Sequence, residues 1–459
     1  MPAVVQGSSP GVEAGPVRAE VAPTLAGPVP RTLGVLDQLG LWGNLGVSLL
    51  GFTGALVVLR PNGPGSPPLS LLAAVLATVV GTAAGAAAVA VAGVVGAQTG
   101  APSMVLLRGL FGAGPSYVPT VANVVQMVGW GTFELVTIAA AAGKVLPAVP
   151  RAGFVLVAGG LSTLLAMRPL GAVRILRRYF SLAVVLALGY LFVWLLRSPL
   201  PPVEHGGWSG FAVAVDATLA VAVSWVPMAA DYTRHSRSPR AAATGALVGY
   251  GLAQVACYGL GLLALVSVGL GAGAGTGPVF AVFLAVPAGG LVFAVLVVRE
   301  LDQSFANVYS TTVSLQNLRP GWDRRLISLA VGALITGLGL AVNIGDYASF
   351  LSMIGSVFVP MFAVLVVDYF GFAGRQRWDL ARSARPRPVM ILPWLAGFAV
   401  YQLIYPGSVS WWVRLWQSAA QAVGFSAQPW MSASLCSFVV AAAATGAVHL
   451  IARARGRRA

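Results

Sequence analysis

Thirty consecutive residues, Leu69–Gln98, carry no charge at all, and a second stretch, Phe211–Ala230, carries only Asp216. A helix of about 20 apolar residues crosses a hydrocarbon layer about 30 Å thick, so runs of this kind belong in a bilayer. The rest of the chain agrees. Of its 459 residues 57% are hydrophobic and only 9% are charged, where a soluble domain carries about 25%. A soluble enzyme, a secreted disulfide scaffold and a disordered chain are excluded. The fold class this predicts is an all-α polytopic membrane protein.

The formal charge is +15, and Lys144 is the single lysine among 28 basic residues. No basic stripe with interleaved aromatics accompanies that excess, so no nucleic-acid partner is expected. The arginines instead fall in short loops between apolar segments, as membrane topology requires. Cys257 and Cys436 both lie inside apolar runs, and His205, His235 and His449 are far apart. Neither a disulfide framework nor a metal site is indicated, and no cofactor is expected. Residues 1–30 are rich in Pro, Gly and Ala without a continuous apolar core; they read as a cytoplasmic disordered tail and not as a cleavable signal.

Pro, Gly and Arg punctuation delimits twelve apolar segments, at about 33–59, 70–97, 117–142, 152–168, 179–197, 210–230, 241–269, 287–315, 326–343, 347–370, 389–405 and 430–451. Segments 98–116 and 272–286 are too broken to span and read as loop or re-entrant helices. With both termini inside, 22 basic residues face the cytoplasm and 5 the outside, Arg299 falling within a span. That asymmetry supports twelve transmembrane helices with cytoplasmic ends. The arginine-rich, nearly lysine-free usage suggests a high-GC bacterial source, and hence the plasma (inner) membrane.

Polar residues inside spans are costly, and each is a functional candidate. The third span carries Asn123, Gln126, Trp130, Glu134 and Thr137 at steps of 3 and 4, which places all five on one helical face. An aromatic plate with an amide one turn before it and a carboxylate one turn after it suits a flat polar ligand; the competing use is a helix–helix contact held by polar side chains. The eighth span carries Glu300, Gln303, Asn307, Ser310 or Thr311, and Ser314 on one stripe, with Asp302 on the other side and Arg299 three residues before it. An intrahelical Arg299–Asp302 pair is the plain explanation of that aspartate. The first span is dense in Gly around a lone Asn44, and Pro227 interrupts the sixth just after Ser224 and Trp225. Breaks at corresponding places in two halves point to a transporter site.

Around these residues the chain resembles a known family. Leu36-Asp37-Gln38-Leu39-Gly40-Leu41-Trp42-Gly43-Asn44-Leu45-Gly46 is similar to the start of the nucleobase–cation symporter family 1, the cytosine, purine, allantoin and hydantoin permeases. Similar too are the Gly96–Gly112 loop, Gln126–Trp130, Ala230–Arg234, Phe305–Ser310 and Phe350–Tyr369, in the family's order over about residues 31–370. The resemblance implies a leucine-transporter-type 5+5 inverted repeat: repeats at 31–200 and 207–370, then two C-terminal helices and a basic tail over 371–459. It implies substrate held between broken helices one and six and helices three and eight. Trp130 matches the family's stacking tryptophan and Asn307 its eighth-helix substrate asparagine. Glu134 stands where hydantoin-type members have Gln, and the aromatic beside Ser224 is shifted from the family's usual plate. Sodium-coupled members carry two hydroxyl residues five and six positions before that asparagine; here those positions hold Asp302 and Leu301.

The function expected is secondary import of a nucleobase (purine or cytosine) or related planar nitrogen heterocycle, coupled to H+ or Na+. The substrate residues expected are Gln126, Trp130, Glu134, Ser224, Trp225, Gln303, Asn307 and Asn44. The ion-coupling residues are Asp302 and Glu300, with backbone carbonyls around Leu39 and Trp42. The partners expected are the small-molecule substrate and the lipid bilayer, and no protein. An amino-acid permease of the same fold and a channel are the rivals. A membrane enzyme is disfavoured, since no HExxH, P-loop or Ser/His/Asp set is present.

Overall fold

The computed structural model describes residues 21–25, 29–63, 66–171, 181–197, 206–267, 277–342, 347–372 and 374–455. The first apolar segment folds as two helices, α1 (Val35–Gly46) and α2 (Leu49–Leu59), bent by 57° at the break. Asp37 accepts from the Gly34 N–H at 2.9 Å and so caps the start of α1 with a carboxylate. Val47 and Ser48 are extended, and Ser48 Oγ caps α2 by accepting from Leu50 N at 3.1 Å. Gly46 is needed there because a Cβ would sit 2.6 Å from the Tyr250 carbonyl.

Next come α3 (Leu71–Thr99), the short buried α4 (Ser103–Phe111), α5 (Tyr117–Val145), α6 (Arg151–Met167) and α7 (Ser181–Leu195). The sixth segment is α8 (Phe211–Val223), then a 3₁₀ turn at Val226–Met228 holding Pro227, then α9 (Ala229–Thr233). Proline removes one ladder donor, so the helix re-forms only after a tightened turn. There follow α10 (Pro239–Ser267), α11 (Gly277–Ala285), α12 (Gly289–Arg299), α13 (Leu301–Leu318), α14 (Arg324–Ala341) and α15 (Tyr347–Val366). The chain ends with α16 (Ile391–Ile404), α17 (Ser410–Ala422) and α18 (Ala433–Ala454).

Every expected span is therefore helical. Among the described residues seven helices are each long and apolar enough to cross a membrane, and the α1–α2 pair passes the same test together. Among the described residues, the two segments read as too broken to span carry α4 and α11, nine residues each. No strand occurs among the described residues, only two isolated bridges. Helix α17 was not foreseen: it lies in the last inter-span loop, buries none of its residues, and is strongly amphipathic, the pattern of a helix lying in a membrane interface. Of the expected 1–30 tail, residues 1–20 and 26–28 lie outside the described residues, as do His205 and Arg18, Arg174, Arg177, Arg178, Arg457 and Arg458. Residues 21–25 are anchored: Arg324 N and Gln316 Nε2 both donate to the Pro23 carbonyl, at 2.9 and 2.8 Å.

Small residues let the helices approach closely. Gly81 and Gly85 of α3 face Thr218, Leu219 and Ala222 of α8, while Gly159 of α6 faces Thr336 and Gly332 of α14 faces Thr163. The outer faces are apolar and exposed, as at Leu156, Val157 and Leu164 of α6, a surface suited to lipid chains. The interior reverses the pattern. Helix α13 buries Asp302, Gln303, Ser304, Asn307, Ser310, Thr311 and Ser314, none more than 4% exposed.

Candidate functional site

The polar stripes of α5 and α13 converge where α1–α2 and α8–α9 are broken. A cavity of about 30 Å³ lies there, lined by Trp130 and Glu134 from α5, Ser224 and Trp225 from the sixth-span break, and Gln303 and Asn307 from α13. These are six of the eight residues expected to meet substrate. The remaining two stand beside it. Gln126 donates through Nε2 to Asn123 Oδ1 (2.9 Å) and to the Ser224 carbonyl (3.2 Å), which ties α5 to the break of the sixth span. Asn44 is buried in the last turn of α1, where its carbonyl accepts from Val47 N at 3.1 Å.

The aromatic rings form two groups. Trp130 meets Phe350 edge-on at 5.2 Å. Trp225 meets Trp42 and Tyr250 edge-on, both at 6.2 Å. Edge-to-face packing fixes the tilt of each indole. Sequence reasoning missed several lining residues: Ser48 at the hinge, Met127, and Tyr250, Gln254 and Tyr258 from α10. Gln254 is the one with a visible signal, a lone amide in an apolar helix. Its Nε2 donates to Thr82 Oγ1 and to the Thr218 carbonyl, both at 2.9 Å.

The ionisable groups are arranged differently from expectation. Arg299 does not pair with Asp302; its Nη1 donates to Glu300 Oε2 at 3.1 Å. Glu300 also accepts from Ser48 Oγ (2.9 Å) and Leu49 N (3.1 Å), so its carboxylate caps the start of α2 across the hinge. Asp302 is 1% exposed and neither of its oxygens has a hydrogen-bond partner. Leu39 and Trp42 lie inside the regular helix α1, where the helix's own ladder uses the carbonyls. Trp42 Nε1 donates to Gln38 Oε1 at 2.9 Å. The carbonyls freed by the break belong instead to Leu45 and Val47, and Gln303 Nε2 donates to both, at 2.5 and 3.1 Å.

The two ends of the molecule differ. At the end bearing the chain's N-terminal side, Gln38 Nε2 donates to Ser236 Oγ (2.7 Å) and Arg31 Nη1 to the Ala97 carbonyl (2.8 Å). Arg234 Nε donates to His235 Nε2 at 3.2 Å, which leaves Nδ1 to donate to the Pro30 carbonyl at 2.9 Å. Burial, with Arg234 beside it, pushes the His235 imidazole down to about 3. At the other end a cavity of about 600 Å³ opens among Arg60, Asn62, Asp216, Ala217, Tyr401 and Tyr405.

Residues 63–382 match the family of permeases for cytosine/purines, uracil, thiamine and allantoin. The chain belongs to this family. The permease is thus a multi-pass membrane transporter by its family. A search of curated proteins finds no match. Among solved structures it is similar to Mhp1, a nucleobase-cation-symport-1 family transporter, closed with bromovinylhydantoin bound. The TM-score is 0.73 at 15% identity, covering 93% of this chain and 95% of that one. Inward-facing Mhp1 matches at 0.65 and 14% identity, covering 94% and 96%. A Na+-coupled sialic acid symporter in a substrate-bound outward-open state matches at 0.62 and 10%, covering 91% of each chain. At these identities the likeness is one of fold, and it bears out the all-α polytopic fold class expected from the residues.

Proposed function

We propose that this permease imports a nucleobase, a purine or cytosine, or a related planar nitrogen heterocycle, with a proton or sodium ion, by alternating access. The observation that carries this reading is one cavity, at the breaks of two spans, walled by two indoles, a carboxylate and three amides. An indole face stacks a planar ring, and a buried carboxylate accepts from ring N–H groups. In this reading Trp130 stacks the ring, Glu134 takes its N–H donors, and Asn307 pairs with a mixed donor–acceptor edge. Gln126 and Asn44 shape the wall. A carboxylate substrate would meet Glu134 as a like charge, which disfavours an amino acid.

At about 30 Å³ the cavity is far smaller than the roughly 300–1,000 Å³ of ligand pockets, so in this reading a ring enters when a hinge moves. The 57° bend at Gly46–Ser48 and the 3₁₀ turn at Pro227 supply two such hinges. Repeats at 31–200 and 207–370, related by inversion, account for their spacing of five spans. The arginine distribution supports cytoplasmic termini in a plasma membrane, with the 600 Å³ cavity facing out.

Thermal-shift measurement of the detergent-purified protein tests the substrate class. The panel holds cytosine, hypoxanthine, uracil, allantoin, a hydantoin and L-phenylalanine, each in sodium and in choline buffer. Stabilisation by a nucleobase supports the reading. A response to L-phenylalanine alone refutes it in favour of the amino-acid permease.

A further inference from the structure

Asp216 is the one charge between Phe211 and Ala230, and the substrate reading leaves it unused. A charge inside a span is costly and marks function. Its side chain reaches across to the last span. Asp216 Oδ1 accepts from Ser432 Oγ at 2.6 Å and Oδ2 from Ala433 N at 2.7 Å, so the carboxylate sits on the first turn of α18. Capping alone does not account for it, because Ser432 Oγ already caps that turn by accepting from Leu435 N at 3.0 Å.

Helix α8 is a wall shared by two cavities. Ala217 and Ala220 line the cavity of about 600 Å³, while Val221 and Ser224, one turn further on, line the central one of about 30 Å³. The two flanks of α8 are held in different ways. On the α3 side the backbones meet: a Cβ at Gly81 would lie 2.4 Å from the Val215 carbonyl, and one at Gly85 would lie 2.9 Å from that of Leu219. Thr218 Oγ1 donates to the Ala77 carbonyl at 3.2 Å, and the Thr218 carbonyl accepts from Gln254 Nε2 at 2.9 Å. Helices packed this closely move as a unit, so α8 travels with α3 and α10.

The other flank faces a firm bundle. At Gly397 of α16 a Cβ would lie 2.5 Å from the Pro360 Cβ of α15 and 2.8 Å from the Ser437 carbonyl of α18. Trp394 Nε1 donates to the Val357 carbonyl at 2.8 Å, and at the far end of α18 His449 Nε2 donates to Asp368 Oδ1 at 2.7 Å. Helix α8 packs along α15 of this bundle and is tied to α18 by the Asp216 bonds, which stand half-buried at the edge of the larger cavity. Hydrogen bonds so placed exchange for water at small net cost, which backbone packing cannot do.

We propose that Asp216 is a positioning residue for entry to the central site: its clasp on α18 holds the first half of the sixth span against the α15–α16–α18 bundle, and release of the clasp lets α8 swing away with α3. The 3₁₀ turn at Pro227 is the hinge of that swing. The inference rests on the import reading for calling the swing a transport step, and on the hydrogen bonds alone for the clasp.

The test uses the full chain in lipid nanodiscs, without substrate, in a background lacking Cys257 and Cys436. Ala220→Cys reports the swing through its rate of reaction with a soluble maleimide, since Ala220 is 2% exposed yet lines the larger cavity. Asp216→Ala removes both bonds and should speed that reaction about tenfold. Ser432→Ala removes one bond and should speed it less. Combined with Asp216→Ala it should add nothing, because the two side chains make one contact. Ala97→Cys, buried at the His235 end, should react at the same rate with and without the clasp. An unchanged Ala220→Cys rate in Asp216→Ala overturns the inference. So do effects of the two substitutions that multiply, or an equal gain at Ala97→Cys, which would mean a loosened fold. If Asp216→Ala does not fold, an unchanged rate in Ser432→Ala overturns it. The two readings separate: faster labelling with no nucleobase response in the ligand panel sinks the substrate class and leaves the clasp standing.

Discussion

In the import reading proposed above, Trp130 stacks the substrate ring. Stacking on an aromatic ring contributes about 1–3 kcal/mol per base. Trp130→Ala should therefore weaken nucleobase binding by about 5- to 150-fold, as read by equilibrium binding; wild-type affinity in that variant would remove the stacking role. Gln303 carries a different load. Its amide holds the two carbonyls that the hinge sets free, and Gln303→Ala would leave both buried without a donor. An unsatisfied buried acceptor costs about 1–3 kcal/mol, so the melting midpoint should drop even without ligand. A midpoint equal to wild type would mean that water replaces the amide at no cost.

At the scale of elements, the first span is a hinge held by side chains and not a loop. Ser48 caps α2 and donates to Glu300 in the same geometry. Ser48→Ala removes both bonds, a loss of about 1 kcal/mol for the cap alone, and uptake should fall further than stability does. Equal losses in both would make the residue structural only. The turn after α9 is expected to act as a pH-sensitive clasp. His235 is held neutral, pushed down to about 3 by burial and Arg234, whereas a free imidazole titrates near about 6.5. The clasp's contribution is thus complete above about pH 6.5 and is lost as pH falls toward 3, because the opened state takes up the proton first. His235→Gln cannot titrate there, so its melting midpoint should decline less steeply on acidification. An acid limb as steep as in wild type would place the titration elsewhere.

For the whole molecule, the central cavity is small, about 30 Å³, the end with His235 is bridged by hydrogen bonds, and the opposite end holds a cavity of about 600 Å³. With cytoplasmic termini, that opposite end faces outward. Ala217→Cys, in a background lacking Cys257 and Cys436, should react with an impermeant maleimide added outside intact cells. Reaction only after permeabilisation would reverse the orientation drawn from the arginines.

Much of this was legible in the residues. Uncharged runs dictated the membrane class, and all twelve expected segments are helical, because hydrocarbon leaves the backbone few other ways to pair its polar groups. Steps of 3 and 4 put Trp130 with Glu134, and Gln303 with Asn307, on shared faces, since helical periodicity depends only on local geometry. What a face meets is another matter. Periodicity allowed Arg299 to pair with Asp302, but helix packing brought Glu300 to Ser48 and Leu49, and Arg299 followed it. The opened carbonyls were expected near Leu39 and Trp42, yet the break falls at Gly46–Ser48, where the Tyr250 backbone presses against α1. Gln126 shares its face with Trp130 but was drawn aside by the Ser224 carbonyl, exposed only once the sixth span is broken. The chain by itself determined which groups had to be buried; only the tertiary structure decided their partners, because a buried polar group bonds whatever the neighbouring helix brings within reach.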